Sequence, residues 1–173
     1  ATVQPNATPQ PMSTSVVPGI QAAYVRLFRA SASEYLHISL LLAGLGKTAY
    51  TPTRMTTSPM VMYGVATGTD PKAFLDSHRT WAHQTGMNPL SLPTIPSGFF
   101  IHNTGPSPMG ELFIQFELSG GQEVPVDRIV MRNRMDNMDL WPRINGTEVQ
   151  LLNASEGVGW RVAVSDFAAK NPG

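Results

Sequence analysis

The sequence predicts a mainly β domain: an antiparallel β-sandwich or jelly-roll-like fold with one short helix over about 71–85 and long Pro/Gly loops. Three observations carry that expectation. Short segments alternate apolar and polar residues with a period of two, which places each set on one face of a strand. Fifteen glycines and fifteen prolines fall mostly between those segments, where turns need them. The segments also follow one another without the regular helical interludes that a parallel sheet requires. A chain of 173 residues is long enough for one domain with a sizeable core.

Ala1–Pro18 holds Pro5, Pro9, Pro11 and Pro18 among Thr, Ser, Gln and Asn. Residues 1–19 therefore read as a Pro-rich linker or arm that buries too little apolar surface to order itself. The domain proper spans 20–167, and Lys170-Asn171-Pro172-Gly173 makes 168–173 a C-terminal linker. A globular body between two such ends reads as a unit of a longer polypeptide.

Within the body, Ala22–Arg29 is apolar with two arginines, and Tyr35–Leu42 places Leu36, Ile38, Leu40 and Leu42 on one side. Met60–Ala66 is apolar throughout and suits a central strand, while Gly98–Asn103 supplies Phe99, Phe100 and Ile101. The cleanest alternation is Glu111–Leu118, with Leu112, Ile114, Phe116 and Leu118 opposite Glu111, Phe113, Gln115 and Glu117. Gly120-Gly121 then suits the positive φ of a tight hairpin, with Val124–Arg132 as the returning strand. Asn145-Gly146 marks another hairpin within Arg143–Leu152, and Gly159–Val164 closes the set with Trp160, Val162 and Val164.

One segment has a different period. Asp70-Pro71 is a helix start, with Asp as N-cap and Pro at the first helical position. Phe74, His78, Trp81 and Ala82 follow at helical spacing, and Gly86 is the stop. Lys47–Pro59 and Gly86–Gly98 carry several prolines and no periodicity. They read as long loops, stiff enough to present a fixed surface.

Composition narrows the function. Twelve basic residues balance twelve acidic ones, so the clustered positive charge that a nucleic-acid binder needs is missing. The longest apolar run, Ile38–Leu45, is far short of the ~18–20 residues of a membrane span, so no membrane insertion is expected. The lack of cysteine excludes disulfides, thiolate zinc sites and a cysteine nucleophile. Three glycosylation sequons occur, at Asn6, Asn145 and Asn153, where such a composition yields about one or two by chance, so secretion does not follow.

Each candidate for chemistry has a simpler explanation. Gly44-Leu45-Gly46-Lys47-Thr48 looks like the tail of a phosphate loop, but the ring of backbone amides needs a glycine where Leu41 stands, and Tyr50, Pro52 and Pro59 deny the following helix. A strand-ending turn explains it. Asp76, Ser77 and His78 are adjacent on a helix, roughly 100° apart, and cannot form a nucleophile–base chain among themselves. A triad would have to assemble from distant residues around His78, His83 or His102, and no Gly-x-Ser-x-Gly elbow is present. His78 and His83 are badly spaced for a shared metal on one helix face; a pH-responsive interface is the other use of such a histidine. Asp136 and Asp139, with Asn137 between them, are the metal candidates, yet they lack the spacing of a calcium loop. A capped turn accounts for them. The expectation is a protein that is not an enzyme and has no cofactor.

A cysteine-free, charge-poor, Ser/Thr/Asn/Pro/Gly-rich β domain, entered through the Pro-rich Ala1–Pro18 and carrying long rigid loops, resembles the protruding domain of a small non-enveloped positive-strand RNA-virus capsid protein. It looks most like the nodavirus/tetravirus-like group, the Lake Sinai type among them. The resemblance is one of composition and architecture and carries no functional residue with it. It implies a structural domain at the virion surface that mediates capsid subunit self-association, as dimer or trimer, and attachment to a host receptor or glycan.

The edge strands of a sandwich must be blunted or paired, so self-association through an apolar patch is expected. Phe113, Trp141 and Trp160 are the interface or receptor candidates, because an outward aromatic gains more in an interface than in water. A second sheet packed on the same face would account for them equally well. One alternative is a carbohydrate-binding β-sandwich module of a secreted protein, stacking sugars on Trp81, Trp141 or Trp160; a second is a hydrolase with a non-sequential Ser-His-Asp triad.

Overall fold

The computed structural model describes residues 12–29, 36–38, 40–57, 75–76, 78–80, 82–83, 100–102, 112–132, 147–153 and 159–164. The first strands are β1 (Met12–Ala22), β2 (Tyr24–Arg29), β3 (Leu36–Ile38), β4 (Leu40–Leu45), β5 (Thr48–Ala49) and β6 (Pro52–Thr57). Helical residues 75–76, 78–80 and 82–83 form α1. After it come β7 (Phe100–His102), β8 (Leu112–Leu118), β9 (Val124–Arg132), β10 (Glu148–Leu152) and β11 (Trp160–Val164). Two antiparallel sheets, in the orders β11-β10-β2-β8-β6 and β1-β9-β4-β5, pack as an open sandwich, and β3 pairs with β7 in a small ribbon. The predicted fold class is the observed one.

Alternation builds the core. From the five-stranded sheet come Val25, Leu27, Ile114, Phe116, Leu118, Val149 and Leu151; from the four-stranded sheet, Ile20, Ala22, Leu41, Ala43, Val126, Ile129 and Met131. Each large side chain so buried contributes roughly 1.5–3 kcal/mol. β4 departs from the period of two and is buried at Leu40, Leu41, Leu42 and Ala43 in succession. Leu41 and Ala43 face the core, whereas Leu40 and Leu42 join Ala49, Val130 and Ala82 of α1 in a second cluster. α1 therefore lies along β4, with Ala82 over the outer face of the four-stranded sheet while Leu75 packs against the main core and His78 stacks on Phe116. It is amphipathic, with His78 and Ala82 buried and Asp76, Arg79, Thr80 and His83 exposed.

Several expectations are corrected. Residues 12–19 are not linker: β1 runs through them, with Met12–Ser15 against Met131–Arg128 and Ile20–Ala22 against Val126–Val124. Pro18 falls in the register shift between Ser15 and Ile20, on an edge strand, where its missing N–H breaks no ladder. Lys47–Pro59 is not an irregular loop, since it contains β5 and β6. Pro52 opens an edge strand, a position proline tolerates, and the threonines after it suit the pleat. Tyr35–Leu42 divides between β3 and β4, which belong to different sheets.

Gly120-Gly121 does not close a hairpin. β8 pairs with β2 and β6, and β9 with β1 and β4, so both edges of each strand are already taken. Ser119–Gly121 instead forms a 3-10 turn that carries the chain from one sheet to the other. The positive φ of Gly120 (67°) and Gly121 (84°) makes that turn possible. The Gly46-Lys47 turn is a two-residue hairpin between β4 and β5, with Gly44 opposite Ala49 and Leu45 opposite Thr48. Gly46 sits at φ 60° and donates its N–H to Asp127 Oδ1 at 2.8 Å. The strand-ending turn expected at Gly44–Thr48 is thus observed, as a tight hairpin turn. The expected Met60–Ala66 strand, the Asn145-Gly146 turn, the Gly86–Gly98 loop and 168–173 lie outside the described residues. Among the described residues, no helix is long and apolar enough to cross a membrane.

Candidate functional site

The outer face of the five-stranded sheet has no helix over it among the described residues, and the strand registers converge there. β2 turns Tyr24, Arg26 and Phe28 outward, opposite the core positions Val25 and Leu27. Pairing sets Gln150 of β10 beside Arg26 and Glu148 beside Phe28. On the other side, Phe113 of β8 lies beside Phe28 and Gln115 beside Arg26. Trp160 of β11 pairs with Leu152. Directly opposed residues share a face of the sheet, so aromatic and polar side chains from four strands meet.

Arg26 is the centre of this meeting. Its guanidinium carbon lies 4.0 Å from the Trp160 ring centroid, 4.5 Å from that of Phe28 and 5.6 Å from that of Phe113. A planar cation over ring faces is attracted by their quadrupoles, by about 0.5–1 kcal/mol per contact at exposed sites. A polar rib fixes its direction. Arg26 Nε donates to Gln150 Oε1 at 2.6 Å, and Gln150 Nε2 donates to Glu148 Oε1 at 2.5 Å. Gln150 is buried beneath this rib, which explains how an amide is satisfied on an outward position.

The face is graded from apolar to polar. Beyond Trp160, Val162 of β11 is 52% exposed, a large solvent-facing apolar side chain. Across the sheet, Glu117 accepts from Thr53 Oγ1 at 2.8 Å and lies 4.0 Å from Arg54 Nε. Arg54 is mostly exposed, so that pair adds little stability. The arrangement is a flat patch of rings held in place by their own cation, with a polar rim on one side. Rings held this way lose little further freedom on contact with a partner.

Of the interface candidates, Phe113 and Trp160 are brought together here and are both half-buried. Trp141 lies outside the described residues, as do Trp81, Asp136 and Asp139. Sequence reasoning missed Arg26, Phe28 and Gln150. Alternation within Tyr24–Arg29 points Arg26 and Phe28 to one face, but only the register across β10, β2 and β8 makes them neighbours.

The other sequence candidates fall elsewhere. His78 is 0% exposed, stacks on Phe116 with ring centroids 4.8 Å apart, and through Nε2 accepts the Leu41 N–H at 3.0 Å. Its lone pair faces a backbone amide, so it cannot take a proton from a substrate in this arrangement. His83, on the exposed side of α1, lines an open groove of about 440 Å3 with Thr51, Asp76, Arg79 and Thr80. His78 and His83 thus belong to opposite sides of the helix. Among the described residues no three His, Cys, Asp or Glu side chains converge as a metal site. Asn153, at 5% exposure, is closed to glycan attachment in the folded domain, and Asn6 and Asn145 lie outside the described residues. No family model, no curated protein and no solved structure matches the chain.

Proposed function

We propose that this chain is a surface-presenting, non-catalytic domain of the capsid protruding type. In this reading it stands at the virion surface, associates with further copies of itself and meets a host receptor or glycan through the outer face of the five-stranded sheet. The observation that carries the reading is the cluster of Trp160, Phe28 and Phe113 around Arg26, held by Gln150 on a solvent-facing sheet. Trp and Arg dominate the energetic centres of protein interfaces because they combine large buried area with few, directed hydrogen bonds.

The sheet edges support contact through this face. β1 carries Pro18 and a register shift, β5 is two residues long, β6 begins at Pro52 with a shift before Arg54, and β11 is shifted between Val162 and Val164. Bulges, prolines and short strands block edge-to-edge addition. A neighbouring copy is therefore not needed to cover the edges, and association falls to a face. Zero net charge lets identical copies approach without long-range repulsion.

Carbohydrate binding would use the same Trp160. Arg26 already covers one side of that ring at 4.0 Å, which leaves a sugar only the opposite side and favours protein contact. Sedimentation velocity from micromolar to millimolar protein tests the proposal. The expected result is reversible dimer or trimer formation, weakened at least tenfold in a Phe113→Ser/Trp160→Ser double variant that keeps its fold. A strictly monomeric species at millimolar concentration would overturn self-association, and an unchanged constant in the variant would move the interface off this face.

A further inference from the structure

The open groove beside α1 has two walls. One is the exposed stripe of the helix, where Arg79, Thr80 and His83 follow Asp76 at three, four and seven positions. The other is Thr51, in the link between β5 and β6. Both walls are anchored. Leu75, His78 and Ala82, on the other side of α1, pack into the domain. Thr51 is held between Tyr50, whose N–H donates to the Ala43 carbonyl at 2.9 Å, and Pro52, buried at the head of β6. The volume of about 440 Å3 lies within the ~300–1,000 Å3 of small-molecule sites. The described side chains that line it are all polar or charged, so the ligand that fits is hydrophilic.

The charges of the groove are not spent on one another. Asp76 and Arg79 have the spacing of a helical ion pair. Yet among the described residues no ion pair or side-chain hydrogen bond engages the Asp76 carboxylate, the Arg79 guanidinium or the His83 ring. Thr80 Oγ1 donates to the Asp76 carbonyl at 3.1 Å, so toward a ligand it only accepts. Arg79 is thus a strong cationic donor beside two acceptors, Asp76 and Thr80. We propose that the groove binds an acidic sugar, its carboxylate on Arg79 and its hydroxyls donating to Asp76 and Thr80, with Thr51 and His83 bonding the remainder. A guanidinium gives a planar carboxylate two parallel hydrogen bonds. A phosphate satisfies Arg79 but sets negative charge against Asp76 and brings too few donors. A neutral sugar satisfies the acceptors and leaves Arg79 without an anion. An amino acid brings both charges but no hydroxyls for the threonines. The groove shares no residue with the Arg26 cluster, so the inference is independent of the self-association proposed above.

Titration of the 15N-labelled domain with glucuronate and with galacturonate, followed through the backbone amides of Thr51, Asp76, Arg79, Thr80 and His83, tests the assignment. A monosaccharide of about thirteen non-hydrogen atoms on an open site should bind with a Kd of ~1 mM. The expected result is saturable shifts at those five amides for at least one of the two uronates, with glucose, glycine and inorganic phosphate about tenfold weaker or absent. Arg79→Gln should weaken the uronate about tenfold. Asp76→Ala is the sharper variant. It weakens an acidic sugar, which loses an acceptor for its hydroxyls, whereas it strengthens any site that merely attracts anions. Both residues are exposed, so neither change disturbs the core, and unchanged amide shifts at Val25 and Ile114 verify the fold. Three results would overturn the proposal: no saturable shift at these amides with either uronate up to 100 mM (about a hundredfold above the expected Kd), phosphate, glycine or glucose binding as tightly as the uronates, or tighter uronate binding in Asp76→Ala.

Discussion

The two sheets of the sandwich share one core yet treat their outer faces differently. In the four-stranded sheet, β4 is buried on both sides, because Leu40 and Leu42 lie under Ala82 of α1. In the five-stranded sheet, β2 and β8 alternate strictly, and their outward residues Arg26, Phe28 and Phe113 remain half-buried. One sheet spends its outer face on stability, while the other keeps rings and a cation there without a covering element among the described residues. Side chains of the same chemical type should therefore have very different effects when removed from the two sides of a single strand.

Phe116 and Phe113 make that contrast within β8, and the largest effect belongs to the core member. Phe116→Ala should destabilise the domain by about 3–5 kcal/mol, the range for deleting a buried ring. Phe113→Ala should cost about 1 kcal/mol or less, as a half-buried outward ring. Urea denaturation of both variants measures the difference; equal losses would mean that the outer face is packed like the core.

Arg26→Met sharpens the comparison from the other side. It keeps the length of the stem but removes the cation from three rings and leaves the buried Gln150 carbonyl without its donor. The expected loss is about 1–3 kcal/mol, the cost of an unsatisfied buried acceptor. Arg26→Lys should recover only part of it, because an ammonium lacks the planar fork that stacks and points Nε at once. Full recovery with Lys would reduce the cluster to a point charge.

Tyr50, which follows the short strand β5, gives the smallest effect and only in alkali. Burial first, and the Asp127 carboxylate second, push its hydroxyl above the ordinary tyrosine value of 10.0. The folded state thus holds the proton that the unfolded state loses. This contribution is complete below pH ~10 and disappears as pH rises through the raised folded value. Tyr50 Oη also donates to the Pro125 carbonyl at 2.5 Å, a bond that ionisation removes. Wild type should therefore lose more thermal stability between pH 8 and pH 11 than Tyr50→Phe does. Identical losses would place the alkaline sensitivity in other groups.

Much of the fold was legible because some residues carry their burial in their own period. Ile114, Phe116 and Leu118 alternate with Phe113, Gln115 and Glu117, and the structure buries them in that order. β4 was not legible in this way, since the partners of Leu40 and Leu42 come from α1 and β9, far away in the chain. β1 was hidden for a related reason. Prolines and hydroxyl residues read as a linker, and nothing in Met12–Ser15 announces that β9 leaves an edge for it. Gly120-Gly121 was recognised as a turn, but its destination depended on which strands already flank β8.

The candidate site divides along the same line. Phe113 and Trp160 stand out as outward aromatics in alternating segments. Arg26 becomes their centre only because Gln150, 124 residues away, is its cross-strand neighbour.

The account rests on the outer face of β11-β10-β2-β8-β6 being the surface through which copies of this domain meet. Heteronuclear NMR spectra recorded from micromolar to millimolar protein test it most directly, through the Trp160 indole N–H and the Arg26 side chain. The account predicts concentration-dependent shifts at Trp160, Val162, Arg26, Phe28 and Phe113 that saturate together, with β1 and α1 unaffected. Shifts confined to β1 or α1, or an unchanging spectrum at millimolar concentration, would contradict it.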